Sequence, residues 1–152
     1  MSEPPAPAFT RRAAFLVLVG ACAMPWSALA QEAPEVAAEI RAAVGDGPMD
    51  ADGITLTMPA VADNGGQVPL TVRVDSPQTE ARHVTAIHVF ATRNPTPGVA
   101  SFRLTPRIAR AEVQTRIRLA EQQQVIAVAV MNDGSLRRAV ADVRVSLGGC
   151  LT

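Results

Sequence analysis

The chain offers few side chains able to carry covalent or proton-transfer chemistry. Beyond residue 30 it holds one thiol, Cys150, and two imidazoles, His83 and His88. Every basic residue is Arg. A chain without Lys performs no Schiff-base chemistry and cannot make the Lys-dependent phosphate loop. His83 and His88 are an odd number of residues apart, so on one strand they point to opposite faces. They are read as one surface and one half-buried histidine, and no metal or cofactor site is expected. No G-x-S-x-G elbow is present. Gly65-Gly66 and Gly98 lack the context of a phosphate loop and read as turn glycines. Arg116 and Arg118 share one strand face, which suits solvent or, more sharply, a partner.

That leaves Cys150, in the terminal stretch VRVSLGGCLT. Apolar alternation stops at Leu147, and Gly148 and Gly149 have no side chains to pack. At about 3.3 Å per residue, Leu147 to Cys150 can extend roughly 10 Å. The expectation is a flexible arm over 148–152 that projects the thiol from the last strand. Its glycines are thin enough to enter a narrow channel. No Lys, Arg or His flanks Cys150 closely, and the carboxylate at Thr152 disfavours a thiolate. The thiol therefore reads as a handle, to be activated by an enzyme that receives it. The plainer reading is a frayed tail with an incidental cysteine.

A disulfide partner for Cys150 could only be Cys22. Cys22 falls within residues 1–30, which read as an export signal. Arg11-Arg12 form a basic start, Ala13 to Met24 an apolar run, and Ser27-Ala28-Leu29-Ala30 a small-residue cleavage site. The apolar run is shorter than the about 20 residues a membrane span needs. TRRAAFL resembles a twin-arginine motif, with one alanine too many before Phe15-Leu16, so the twin-arginine route is expected and Sec is the alternative. Val19-Gly20-Ala21-Cys22 is a loose lipobox that would instead lipidate Cys22. Cleavage after Ala30 removes Cys22 and leaves Cys150 unpaired, which in an exported protein suggests intermolecular pairing or a reactive thiol.

Residues 31–152 are enough chain for one ordinary domain with a modest core. Of the 14 basic residues, Arg11 and Arg12 leave with the signal, and of the 14 acidic ones only Glu3, giving a net charge of −1. Neither nucleic acid nor an anionic membrane is implied. Trp26 lies in the signal and there is no Tyr, so stacking platforms for bases are absent.

Upstream of the arm, Val36, Ile40 and Ala43/Val44 in EAPEVAAEIRAAVG recur at helical spacing, with Gly45 a C-cap. DGPMDADG is a turn-rich break. Seven strands follow: ITLTM, VPLTVRV, HVTAIHVFAT, VASFRLT, AEVQTRIRL, QVIAVAVM and RRAVADVRVSL. DNGG (63–66) and NDGS (132–135) read as turns, the latter a hairpin with Asp133-Gly134 at its tip. VPLTVRV puts Val68, Leu70, Val72 and Val74 on one face. The last strand points Ala141, Val143, Val145 and Leu147 one way. QVIAVAVM is apolar throughout, as a central buried strand would be. The fold expected is mainly β: an immunoglobulin-like antiparallel β-sandwich over 31–147, with a short N-terminal helix and a flexible C-terminal arm. An open barrel is the alternative.

Several stretches resemble the SoxY family, the covalent carrier subunits of the periplasmic thiosulfate-oxidising Sox system. They are the early helix, DNGGQVPLTVRVDSP, NPTPGVASFRLTP, TRIRLAEQQQVIAVAVMNDGS and the terminal VRVSLGGC. Gly148, Gly149 and Cys150 match the first three residues of that family's terminal GGCGG, while Leu151 and Thr152 replace its last two glycines. The resemblance implies a non-enzymatic carrier that holds thiosulfate-derived sulfur on Cys150. It implies a heterodimer with a SoxZ-like β-sandwich subunit. A SoxXA-type haem enzyme would load the thiol, a SoxB-type manganese hydrolase would release sulfate, and in some systems a sulfur dehydrogenase would act on the remaining sulfane sulfur. The long apolar strand, taken with that heterodimer, suggests a partner surface on one sheet face. The competing function is a periplasmic interaction module in which Cys150 forms only an intermolecular disulfide.

Overall fold

The computed structural model describes residues 33–149. The expected signal over 1–30, and Cys150, Leu151 and Thr152, lie outside the described residues. One helix, α1 (Pro34–Val44), precedes nine strands. These are β1 (Met49–Asp50), β2 (Ile54–Thr57), β3 (Val61–Asn64), β4 (Val68–Val74), β5 (Val84–Ala91), β6 (Gly98–Arg103), β7 (Ala111–Ile117), β8 (Gln123–Met131) and β9 (Leu136–Leu147).

The strands form two sheets, as a sandwich requires and a barrel does not. The larger runs β1-β9-β8-β5-β6, with β3 also paired to β9, and the smaller runs β2-β4-β7. All seven strands read from the sequence are present. Alternation in β4 works as expected: Val68, Leu70, Val72 and Val74 are buried while Pro69 and Arg73 are exposed. Those four pack in one core with Ile87 and Val89 of β5 and Val125, Ala127 and Ala129 of β8. Burying each such side chain contributes about 1.5–3 kcal/mol, which fixes the register because a one-residue slip would expose the whole set.

Helix α1 explains why β8 is apolar on both faces. Pro34 opens the helix, Glu35 and Arg41 suit its dipole, and Gly45 (φ +85°) closes it by donating to the Arg41 carbonyl at 2.8 Å. Val36 and Ile40, four residues apart on one helix face, pack against Phe90 of β5 and Ile126 and Val128 of β8. The outward Ile126 and Val128 of β8 are thus covered by the chain's own helix. The apolar run QVIAVAVM therefore gives no support to a partner surface on this sheet.

Three features depart from the sequence reading. First, the turn-like stretches hold two extra strands, both parallel to β9 in an otherwise antiparallel sandwich. Met49 and Asp50 pair with Leu136 and Arg137, and Val61, Ala62 and Asn64 with Arg144, Val145 and Leu147. β1 has only two residues and β3, VADN, shows no apolar alternation, and the long β9 recruits both. Second, DNGG is not a simple turn. Asp63 and Asn64 end β3, and Asn64 caps a 3-10 turn over Gly65–Gln67. Third, Leu147 is not inside. Val143 is buried, Ala141 and Val145 are half-buried, but Leu147 is 71% exposed, because β9 outruns the core. The NDGS hairpin is as read: Gly134 has φ +83°, and Met131 donates to the Ser135 carbonyl at 2.9 Å.

Candidate functional site

β9 leads directly into the two glycines that precede Cys150. After Leu147 the backbone passes through a slot walled by Gly65-Gly66 on one side and Leu119-Ala120 on the other. Gly149 donates its N–H to the Leu119 carbonyl at 3.0 Å, and Leu119 donates its own N–H to the Gly65 carbonyl at 2.8 Å. The slot admits backbone only. A Cβ on Gly148 would overlap the Ala120 carbonyl oxygen. One on Gly149 would lie 2.8 Å from the carbonyl of Gly65 and from the nitrogen of Gly66. One on Gly65 would overlap the Leu119 carbonyl oxygen and lie 2.6 Å from the Gly149 nitrogen. Space is what selects glycine at these three positions: none of them has positive φ.

Both walls are held from behind. On one side Asn64 accepts the Gly66 N–H through Oδ1 at 2.7 Å. On the other, Asn94 grips the segment after β7. Its Nδ2 donates to the Arg118 carbonyl at 2.9 Å and its Oδ1 accepts the Ala120 N–H at 3.0 Å. Gln123 braces Asn94, donating from Nε2 to that same Oδ1 at 2.9 Å and to the Glu121 carbonyl at 3.1 Å, while its Oε1 accepts the Arg93 N–H at 2.7 Å. Asn94 and Gln123 are both buried. Polar side chains stay buried where their hydrogen bonds are met, and this pair spends its own on shaping a loop. The Leu119 side chain is fully buried in the core, so the carbonyl that receives Gly149 is fixed from within.

The other sequence candidates lie apart from one another. His83 Nδ1 contacts the Thr79 carbonyl at 3.0 Å. His88 Nδ1 contacts Ser101 Oγ at 2.9 Å, and its ring stacks near Phe90. Burial, helped by the Arg103 charge, lowers the His88 pKa below its ordinary value. Among the described residues no group of three His, Cys, Asp or Glu side chains could hold a metal. Arg116 and Arg118 are exposed beside buried Ile117 and Leu119, as alternation predicted. They line a groove of about 740 Å³ between β6 and β7, together with Asn94, Ser101 and Phe102.

Sequence reasoning missed Asn64, Gly65, Asn94 and Gln123. The glycine pair looked like an ordinary turn, and Gln123 sits in a run of glutamines. Only a hydrophilic Asn and Gln flanking buried strands hinted at a polar brace. The slot is lined by backbone amides and braced by the side-chain amides of Asn64, Asn94 and Gln123. It holds and directs the backbone that leads to Cys150.

The class defined by these features is a two-sheet β-sandwich with a helix on one outer face and its last strand leaving through a backbone-lined slot. The family model described as sulfur oxidation protein SoxY matches residues 40–150. The chain belongs to the SoxY family. It is similar to the solved structure of the sulfur carrier protein SoxY from Chlorobium limicola f thiosulfatophilum, with 33% identity and a TM-score of 0.63, over 75% of this chain and 98% of that one. The superoxide reductase (neelaredoxin) of Ignicoccus hospitalis shares the fold alone, at 15% identity and a TM-score of 0.55 over 60% of this chain and 78% of that one. A search of curated proteins finds no match.

Proposed function

We propose that this protein is a sulfur carrier, which holds thiosulfate-derived intermediates covalently on Cys150 and presents them to the enzymes of a periplasmic Sox system. The observation that carries this reading is the family match running to residue 150, with Gly148 and Gly149 leading straight to the thiol. The carrier does none of the redox or hydrolytic steps. Loading joins the Cys150 sulfur to the outer sulfur of thiosulfate. The thiol proton is released and two electrons pass to a SoxXA-type haem enzyme. Water then cleaves the terminal S–S bond in a SoxB-type manganese hydrolase, releasing sulfate and two protons and leaving a persulfide anion on the arm. A sulfur dehydrogenase, where present, oxidises that sulfane sulfur. A SoxZ-like subunit completes the carrier as a heterodimer.

Export through the signal over 1–30, by the twin-arginine route, places the protein in the periplasm and removes Cys22. No helix among the described residues is long and apolar enough to cross a membrane. The deciding experiment is the intact mass of the protein from thiosulfate-grown cells, before and after reduction. The expected result is a thiosulfonate or extra sulfur on the C-terminal peptide, lost with reductant. A bare thiol, or a disulfide dimer alone, overturns the carrier reading in favour of an interaction module.

A further inference from the structure

The two glycines before Cys150 have a docking place on the body of the protein. We infer that Gly65, with Leu119 and Ala120, forms an intramolecular dock that parks the arm at Gly148–Gly149 and sets the point from which Cys150 leaves the domain. Gly65 is thereby a positioning residue, and so are Asn64 and Asn94, which fix the two walls. The purpose assigned to this dock rests on the carrier reading above; its existence does not.

Three observations converge on it. The first is steric. Gly65 lies far in sequence from the adjacent pair Gly148-Gly149, yet each of the three lies against backbone where a Cβ has no room. Three such positions meeting in one slot make a glycine contact selected by shape, which a spacer chosen only for flexibility would not need. The second is the relay of hydrogen bonds, from Gly149 to Leu119 and from Leu119 to Gly65. The third is the unequal bracing. The walls are tied by Asn64, Asn94 and Gln123 and by the buried Leu119 side chain. Gly149 is tied to them by a single backbone hydrogen bond among the described residues.

A stiff dock with a weak latch gives the arm two lengths. Parked, it extends only from residue 150 onward. Released, Gly148 and Gly149 add roughly 7 Å of reach at about 3.3 Å per residue. A receiving enzyme that draws the arm into its channel need break only that one hydrogen bond. Between visits the docked glycines fix the place on the domain at which the described backbone ends.

The test is amide hydrogen exchange on the full chain, followed by NMR or mass spectrometry. The Gly149 amide should exchange about five- to tenfold more slowly than in an unstructured peptide, the factor one net hydrogen bond supplies. In Gly148→Ala that protection should vanish while the amides of β8 keep theirs. Gly148 lies beyond the last strand, so this variant leaves the sandwich intact. Gly65→Ala should remove the same protection from the opposite wall. Unprotected Gly149 in the wild type overturns the dock, as does protection that survives in folded Gly148→Ala. Neither readout involves sulfur. An arm that docks but never carries sulfur refutes only the carrier reading, and a loaded but undocked arm refutes only the dock.

Discussion

The N–H of Gly149 reaches the carbonyl of Leu119 at 3.0 Å, and this short link ties the end of β9 to the segment that follows β7. β9 belongs to the larger sheet and β7 to the smaller. The slot thus bridges the two layers at the end of the sandwich where the arm departs. Leu119 holds both ends of the bridge, through its own N–H to Gly65 and its side chain in the core. The exit of the arm is consequently set by the packing of the whole domain, although the arm itself follows one strand.

Asn94→Ala should destabilise the fold by about 2–3 kcal/mol. The substitution strips partners from the Arg118 carbonyl, the Ala120 N–H and the Gln123 amide, and a buried polar group left unmet costs about 1–3 kcal/mol. The midpoint of thermal unfolding should fall by roughly 5–10 °C. Calorimetry checks this; an unchanged midpoint would mean that water replaces the brace and that the loop is not held by Asn94.

Ile40→Ala should cost about 2–4 kcal/mol, as expected for truncating a buried Ile. Ile40 is 3% exposed and seals Phe90, Ile126 and Val128 on the outer face of the larger sheet. The measurement is chemical denaturation of the isolated chain. A cost near zero would show that the helix is not seated there in solution, and would return that apolar face to the list of candidate partner surfaces.

How much of this could be read from the sequence depends on whether the relevant contacts are local. β4 and β8 were legible because alternation and continuous apolarity are written along the strand itself. The helix was legible from Val36 and Ile40, but its role in covering Ile126 and Val128 was not, since that pairing joins distant segments. β1 and β3 are strands only because β9 lies beside them. Leu147 looked like a core residue because alternation does not reveal where the opposing sheet stops. The slot was invisible for the same reason. Gly65, Leu119 and Gly149 meet only in the folded chain, and a glycine selected by a neighbour's carbonyl looks identical to one selected by a turn.

Stability should fall as the medium is acidified through the range of histidine titration. Burial, then the Arg103 charge, lowers the pKa of His88 in the folded protein below its ordinary 6.5. The unfolded chain then binds the proton more readily than the native one. The contribution is fully present above pH 6.5 and is lost as pH falls through the folded value. Unfolding midpoints recorded from pH 7.5 to pH 5 should decline, and His88→Gln should flatten that part of the profile. An unchanged slope in the variant would assign the decline to other groups.

Cys150→Ser should separate fold from function more sharply than any other single change. Among the described residues the strands of the sandwich end at Leu147, so the thermal midpoint should stay within about 1 °C of the wild type, as for a substitution beyond the last strand. Pairing with the proposed SoxZ-like subunit should also persist. Thiosulfate-dependent respiration should nonetheless be abolished. A serine hydroxyl cannot form the S–S bond that loading requires, and no second cysteine remains in the chain once residues 1–30 are removed. Oxygen uptake by a strain carrying only this variant is the direct readout. Normal uptake would mean that the cargo rides elsewhere. Lost uptake with a stable heterodimer would place the defect at the sulfur atom itself, the result that a carrier requires and that a disulfide-linked interaction module does not predict.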